Sequence, residues 1–197
     1  MTRPPLRERQ RLAVRAELQR TALEMFVERG FDNVSVNDIV DRVGVVQRTF
    51  YRHFSSKEDA VISLFDEVAP VVHRHVRDHP GGEPPWRVLM GAMVATAREC
   101  AAVDAAVVRL IYDTPRLLSA YTERERHWVR MVADIIAERM GVRPDDDARP
   151  MLWSSLAFTI TDRASFENAV LNRQPRLLDH LEDRFEQAAE LFTGRLP

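Results

Sequence analysis

Apolar residues recur at spacings of three and four along nearly the whole chain, and no stretch alternates with a clean period of two and β-branched enrichment. Segments patterned in this way can bury one side only as helices, so the spacing predicts an all-α fold of about nine helices. Proline and glycine supply the punctuation. A first helix is expected from near Leu6, with Leu18, Ala22, Met25 and Phe26 as its apolar stripe, ending at Gly30. Phe31 and Val34 should fold back onto that stripe. Ser35 is the expected N-cap of a short helix, with Asp38 in its first turn, that runs through Val43 and ends at Gly44. A second short helix should follow from about Val46 to Phe54. Ser55 or Ser56 then caps a long fourth helix, interrupted at Pro70.

The stretch from Pro80 to Pro85 contains three prolines and two glycines and reads as a loop. Helices are expected over 85–102, 105–113 and 115–140, the last opened by Pro115 and closed by Gly141. Asp145, Asp146 and Asp147 mark the N-terminus of a helix reaching Asn172, and Pro175 opens the final one, through about Phe192. No internal repeat or low-complexity segment is found.

Composition narrows the class. With 45% hydrophobic and 29% charged residues, the chain can bury a core and does not resemble intrinsic disorder. The single cysteine, Cys100, excludes an intrachain disulfide and reads as a small buried hydrophobe. Its longest uncharged apolar-leaning stretches, 88–97 and 151–161, fall short of the roughly 18–20 residues that cross a bilayer. The arginine-rich N-terminus lacks the apolar segment of a secretory signal, so a cytoplasmic location and no membrane partner are expected. The formal net charge of -2 rules out a polybasic nucleic-acid coat, but it is a cancellation. Residues up to Lys57 carry 11 basic and 7 acidic side chains, whereas the rest carry 17 and 23. A basic head on an acidic body is the implied organisation. Of the 28 basic residues only Lys57 is lysine.

The two short helices around Gly44 have the dimensions of a helix-turn-helix. In the second, Phe50 and Phe54 are four apart and face inward toward Phe26, Ile39 and Val43. Gln47, Arg48, Tyr51 and Arg52 then face solvent. This set suits a major groove, where arginine can pair with guanine, glutamine with adenine, and tyrosine can reach phosphate or a thymine methyl. The plainer alternative is an exposed face that happens to be polar.

The run Ser35-Val36-Asn37-Asp38-Ile39-Val40, Gly44-Val45 and Gln47-Arg48-Thr49-Phe50-Tyr51-Arg52-His53-Phe54-Ser55-Ser56-Lys57-Glu58 resembles the N-terminal signature of TetR-type transcriptional regulators. The similarity covers about residues 18–60; beyond it, only length and helical architecture agree. It implies a three-helix helix-turn-helix DNA-binding domain over residues 1–56 and a helical effector-binding and dimerisation domain over 57–197. It implies base-edge or nearby backbone contacts for Gln47, Arg48, Thr49, Arg52 and His53. Phosphate contacts fall to Tyr51, Lys57 and the Ser35-Val36-Asn37 turn, whose free N–H groups also favour an anion on general grounds. Val46 departs from the serine-like N-cap common in the family, which implies a recognition helix that is capped less well or starts later.

In the body, Leu178, Leu181, Phe185 and Ala188 form a seam for another helix, either within the chain or across a twofold axis. The preceding helix, with Leu152, Ser155, Leu156 and Thr159, is apolar nearly all round and is expected to touch both its own core and a partner copy. An effector pocket is expected among Trp86, Met90, Met93, Tyr112, Trp128, Met131, Phe158, Thr161 and Asp162, with plain core packing as the alternative for each. Such a lining suits an apolar or aromatic small molecule. Of His73, His75 and His79 only the last two share a helix face, and without a third ligand they read as solvated; zinc-ligand spacing, a Gly-rich phosphate loop and a nucleophile elbow are lacking, so no metal, cofactor or catalytic residue is expected. The expected protein is a homodimeric repressor on double-stranded, palindromic operator DNA, released when an effector tilts the fourth helix about Pro70. A helical enzyme and a protein-protein adaptor are the alternatives.

Overall fold

A computed structural model describes residues 5–99, 104–170 and 177–193, and every regular element among them is helical. Two compact units are present: residues 1–64 with 110–120, and residues 65–109 with 121–197.

In the first unit, α1 (Leu6–Arg29) packs on α2 (Val36–Val43), α3 (Gln47–His53) and α4 (Lys57–Ile62). Leu18, Ala22, Met25 and Phe26 are buried along one side of α1, and Phe31 and Val34 close the core after a 3₁₀ turn, as the spacing predicts. Gly44 takes the left-handed conformation (φ 78°), and the Gly44 and Val45 N–H groups both return to the Val40 carbonyl. An L-residue with a Cβ pays steric energy in that conformation, so the sharp turn between α2 and α3 falls to glycine.

The expected fourth helix arrives in two pieces. After α4 the chain makes a 3₁₀ turn over Ser63–Phe65 and restarts as α5 (Val68–Asp78). Pro70 is the third residue of α5, where its missing N–H would have no intrahelical acceptor, so it opens a helix and does not kink one. Ala60, Val61 and Ile62 are buried, and Gln19 Nε2 donates to the Ala60 carbonyl (2.9 Å) and to Ser63 Oγ (3.1 Å). Gln19 thereby ties α4 to α1 within the first unit.

In the second unit, α6 (Pro85–Glu99) packs on α5, α9 (Arg149–Ala169) and α10 (Leu177–Thr193). Helices α7 (Ala105–Asp113) and α8 (Pro115–Met140) contribute residues 105–109 and 121–140 to this unit; Pro115 opens α8, and Gly141, with φ 66°, follows its end. Arg139 holds the α5 C-terminus through the Val76 carbonyl (2.8 Å), and Arg109 Nη2 does the same for α9 at Ala169 (2.7 Å). Guanidinium groups at these carbonyls satisfy acceptors that helix geometry leaves open. Among the described residues no helix is long and apolar enough to cross a membrane. Cys100 lies outside the described residues.

Candidate nucleic-acid interface

Helix α2 starts with a reciprocal capping box. The Asp38 N–H donates to Ser35 Oγ (3.2 Å), and the Asp38 carboxylate accepts from the Ser35 N–H (2.7 Å). The hydrogen bonds from Ser35 hold the Asp38 carboxyl below its usual range. With Ser35 and Asp38 satisfied, the N–H groups of Val36 and Asn37 are the first-turn donors without an intrahelical acceptor. The Val36 side chain is buried, so at this position only the backbone can meet a ligand.

Helix α3 starts at Gln47 behind Val46, which supplies no side-chain cap. Seven residues cannot hold a helix on their own. Phe50 and Phe54 are almost wholly buried, with ring centroids 5.4 Å apart, and burying side chains of this size contributes about 1.5–3 kcal/mol each. Their inward direction turns Gln47, Arg48, Tyr51 and Arg52 outward, and all four are exposed. These occupy one stripe, at i, i+1, i+4 and i+5, on a helix that a major groove about 12 Å wide can admit. Thr49 and His53 are half-buried beside it. The His53 Nε2 is shielded without a hydrogen-bond partner; desolvation first, and then Arg52, Arg15 and Arg11, lower the pKa of the ring. The neutral imidazole is therefore favoured at the edge of the face.

Lys57 explains itself through geometry. Its ammonium donates to the carbonyls of Val34 (2.7 Å) and Phe31 (3.0 Å) and lies 4.5 Å from the centroid of the Phe31 ring. A compact ammonium with three donors can serve both carbonyls and keep one donor in reserve. Lys57 thus fastens the turn that delivers the Ser35 cap. Ser56, not Ser55, caps α4, its Oγ accepting from the Asp59 N–H (3.1 Å).

Ser35, Asn37, Gln47, Tyr51 and Lys57 line one concavity, and a residue that sequence reading missed joins them: Arg116, from the first turn of α8. Its guanidinium holds the Glu58 carboxylate (2.8 Å), which offsets a negative charge facing the α2 N-terminus. Fifty-eight positions separate the two residues. No local pattern could have paired them.

The second unit divides the expected pocket residues. Trp128 meets Tyr121 (5.8 Å) and Phe65 (6.1 Å), while Trp86 meets Trp153 (6.4 Å) and Phe185 (6.2 Å). Met90, Met93 and Phe158 are buried, but Met131 is 37% exposed, because Trp128, Val132 and Ile136 occupy the inward positions of α8. Tyr112 belongs to the first unit. The Thr161 hydroxyl donates to the Ala157 carbonyl of its own helix (2.9 Å). Glu125, four residues after Tyr121 and three before Trp128, was missed. Burial, then the charge of Asp162, pushes its carboxyl above the usual range. A raised folded-state pKa means that the native state holds this proton more tightly, so the associated stability is complete below about pH 4.5 and is lost as pH rises through the raised value. Glu125→Gln is therefore expected to raise the melting temperature at neutral pH with little gain in acid. Equal gains at both would contradict this.

Of the expected dimer residues, Leu181, Phe185 and Ala188 are buried in their own unit, where α10 packs on α6 and α9. Within the single chain their partners are therefore α6 and α9. Leu178 lies outside the residues whose side chains are described. Leu152, Ser155 and Thr159 are exposed, and Leu156 is half-exposed; with Met151 they form an outward stripe on α9, whose other side carries buried Ser154, Ala157 and Phe158. His75 pairs with Glu99 (2.9 Å) and His79 Nδ1 meets the Pro80 carbonyl (2.7 Å), so neither is simply solvated.

Residues 18–64 match the family of bacterial regulatory proteins described as the tetR family, and residues 83–193 match the MftR C-terminal domain. The HTH-type transcriptional regulator TcmR of Streptomyces glaucescens is 36% identical over 156 residues, spanning 75% of this chain and 69% of that protein. The HTH-type transcriptional repressor KstR2 of Mycobacterium tuberculosis (strain H37Rv) is 31% identical over 142 residues, 68% of this chain and 71% of its own. The fold is similar to that of Thermus thermophilus FadR, a TetR-family repressor solved in complex with lauroyl-CoA. There the TM-score is 0.58 at 22% identity, over 93% of this chain and 95% of that one.

Proposed function

The chain belongs to the TetR family of bacterial regulatory proteins and is a DNA-binding transcriptional regulator; we propose that it acts as a homodimeric repressor released from a palindromic operator by a small molecule. The observation that carries this reading is the stripe of Gln47, Arg48, Tyr51 and Arg52, held outward by two buried phenylalanines. Arg48, Arg52 and Gln47 read base edges, with Thr49 and His53 beside them. Tyr51, the remaining donor of Lys57 and the N–H groups of Val36 and Asn37 hold phosphates. Two copies place two such helices in successive major grooves, about one helical turn apart or somewhat more. The test is selection of bound sequences from a random duplex library. A twofold-symmetric consensus is expected, and failure to enrich any sequence would overturn the reading.

Dimerisation is assigned to the outward stripe of α9, on which Leu152 is the most exposed large apolar side chain. The effector is apolar or aromatic and is received among the Trp128 and Trp86 clusters, where Glu125 and Asp162 orient a polar end. It lowers operator affinity only by preferring the state whose two recognition helices do not fit successive grooves. The chain passes from the first unit to the second inside the 3₁₀ turn at Ser63–Phe65 and crosses again within α7 and α8; Pro70, in the first turn of α5, lies at none of these crossings. Trp128→Phe and Phe158→Leu are expected to shift release from the selected operator by roughly tenfold, since small changes in a pocket are worth about 1–3 kcal/mol. A panel of apolar and aromatic compounds serves as the probe, and operator affinity without compound stays unchanged. Identical responses in wild type and both variants would remove these residues from the pocket.

A further inference from the structure

Helix α1 outruns its core. Its buried positions are Phe26, Ala22 and Leu18 in steps of four, with Met25 and Thr21 beside them, and nothing before Leu18 is buried. The helix nevertheless continues to Leu6, an overhang of twelve residues or ~18 Å. Continued in steps of three and four, the core-facing side becomes Arg15, Arg11 and Arg7. The apolar seam thus turns into an arginine seam where the core stops.

Arg15 shows where this seam points. Its Nη1 donates to the carbonyl of His53, the last residue of α3 (2.6 Å), and its guanidinium carbon lies 4.3 Å from the centroid of the Phe54 ring. Arg11, one turn further out, and Arg52 of α3 both lie close enough to His53 to disfavour its protonation. The overhang therefore leaves the buried core of the first unit beside the end of α3 that carries Arg52.

Fold stability accounts for Arg15 but not for Arg7 and Arg11. Like charges four apart destabilise a helix, and a cation in the first turn opposes the helix dipole. Arg7 and Arg11 have no carboxylate at ion-pair distance among the described residues, although Arg20, Arg74, Arg98 and Arg116 each have one. Both are exposed. An unpaired cationic row, continuous with a face that meets DNA, matches the evenly spaced charges of a phosphate backbone.

We propose that the overhang of α1 is a second DNA contact, in which Arg7 and Arg11 bind backbone phosphates flanking the base pairs read by α3. This rests on reading α3 as the recognition helix. The contact is blind to sequence, lengthens the footprint and adds to the salt dependence of binding.

The experiment compares wild type, the double variant Arg7→Gln/Arg11→Gln, and Arg52→Ala. Each is titrated at several salt concentrations on the library-selected site, as a minimal duplex and with flanks of about one helical turn. Wild type should bind the flanked duplex more tightly. The double variant should lose that advantage and lower the slope of log affinity against log salt by about 2–4, at ~0.9 per phosphate and two arms. Its preference among core sequences and its helical content should be unchanged. An unchanged slope and flank advantage overturns the proposal, as does an affinity loss with both unchanged. If Arg52→Ala keeps its preference for the selected site, the reading of α3 fails instead, whatever the double variant does.

Discussion

Arg52→Ala is expected to weaken binding to the selected operator by roughly a hundredfold or more. Each lost bidentate pairing is worth about 1–3 kcal/mol, and a dimer carries two. The side chain is exposed at the end of α3 and supports no buried contact, so melting temperature and oligomeric state should match wild type. Competition titration against mutated operators checks the mechanism. The variant should lose discrimination at one base pair per half-site, whereas a phosphate contact would weaken all sequences alike. Undiminished affinity would remove Arg52 from the recognition face.

Leu152→Glu is expected to convert the proposed dimer to a monomer. The side chain is 62% exposed in the single chain, next to Met151 and in line with Ser155, Leu156 and Thr159. A twofold axis through this stripe would bury the new carboxylate twice, and an uncompensated buried charge costs roughly 3–5 kcal/mol. Sedimentation should show half the mass, with operator affinity falling because two recognition helices no longer bind as a unit. The exposed site leaves the fold of each chain intact, which circular dichroism checks. A variant that remains a dimer would place the interface elsewhere.

The readings that survived were those carried by local chemistry. Ser35 caps α2 because its hydroxyl and the Asp38 carboxylate are three residues apart, a spacing visible in the sequence. Gly44, Pro115 and Gly141 mark boundaries because backbone conformation depends on the residue itself. Phe50 and Phe54 face inward because any helix places them on one side, which turned Arg48 and Arg52 outward before any neighbour was known. The readings that moved depended on neighbours. Pro70 was a break in a long helix only if the chain was still helical before it, and Ser63–Phe65 had already interrupted it. Met131 looked like a pocket residue by type, yet α8 turns Trp128 and Val132 inward and leaves it at the surface.

Lys57 and the α10 seam mark the division most clearly. By itself, the sequence determined that helices form, where those closed by glycine stop, and that one short helix presents arginine, glutamine and tyrosine on a single side, because periodicity and backbone preference act within a few residues. Tertiary structure decided the partners. It set the lone lysine between the carbonyls of Phe31 and Val34, brought Arg116 to Glu58, and turned Leu181 and Phe185 toward helices of their own unit. An apolar stripe states that burial is needed but not against what. A charged side chain reports its sign but not its counterpart, and both answers come from residues far apart in the chain that only the folded packing brings together.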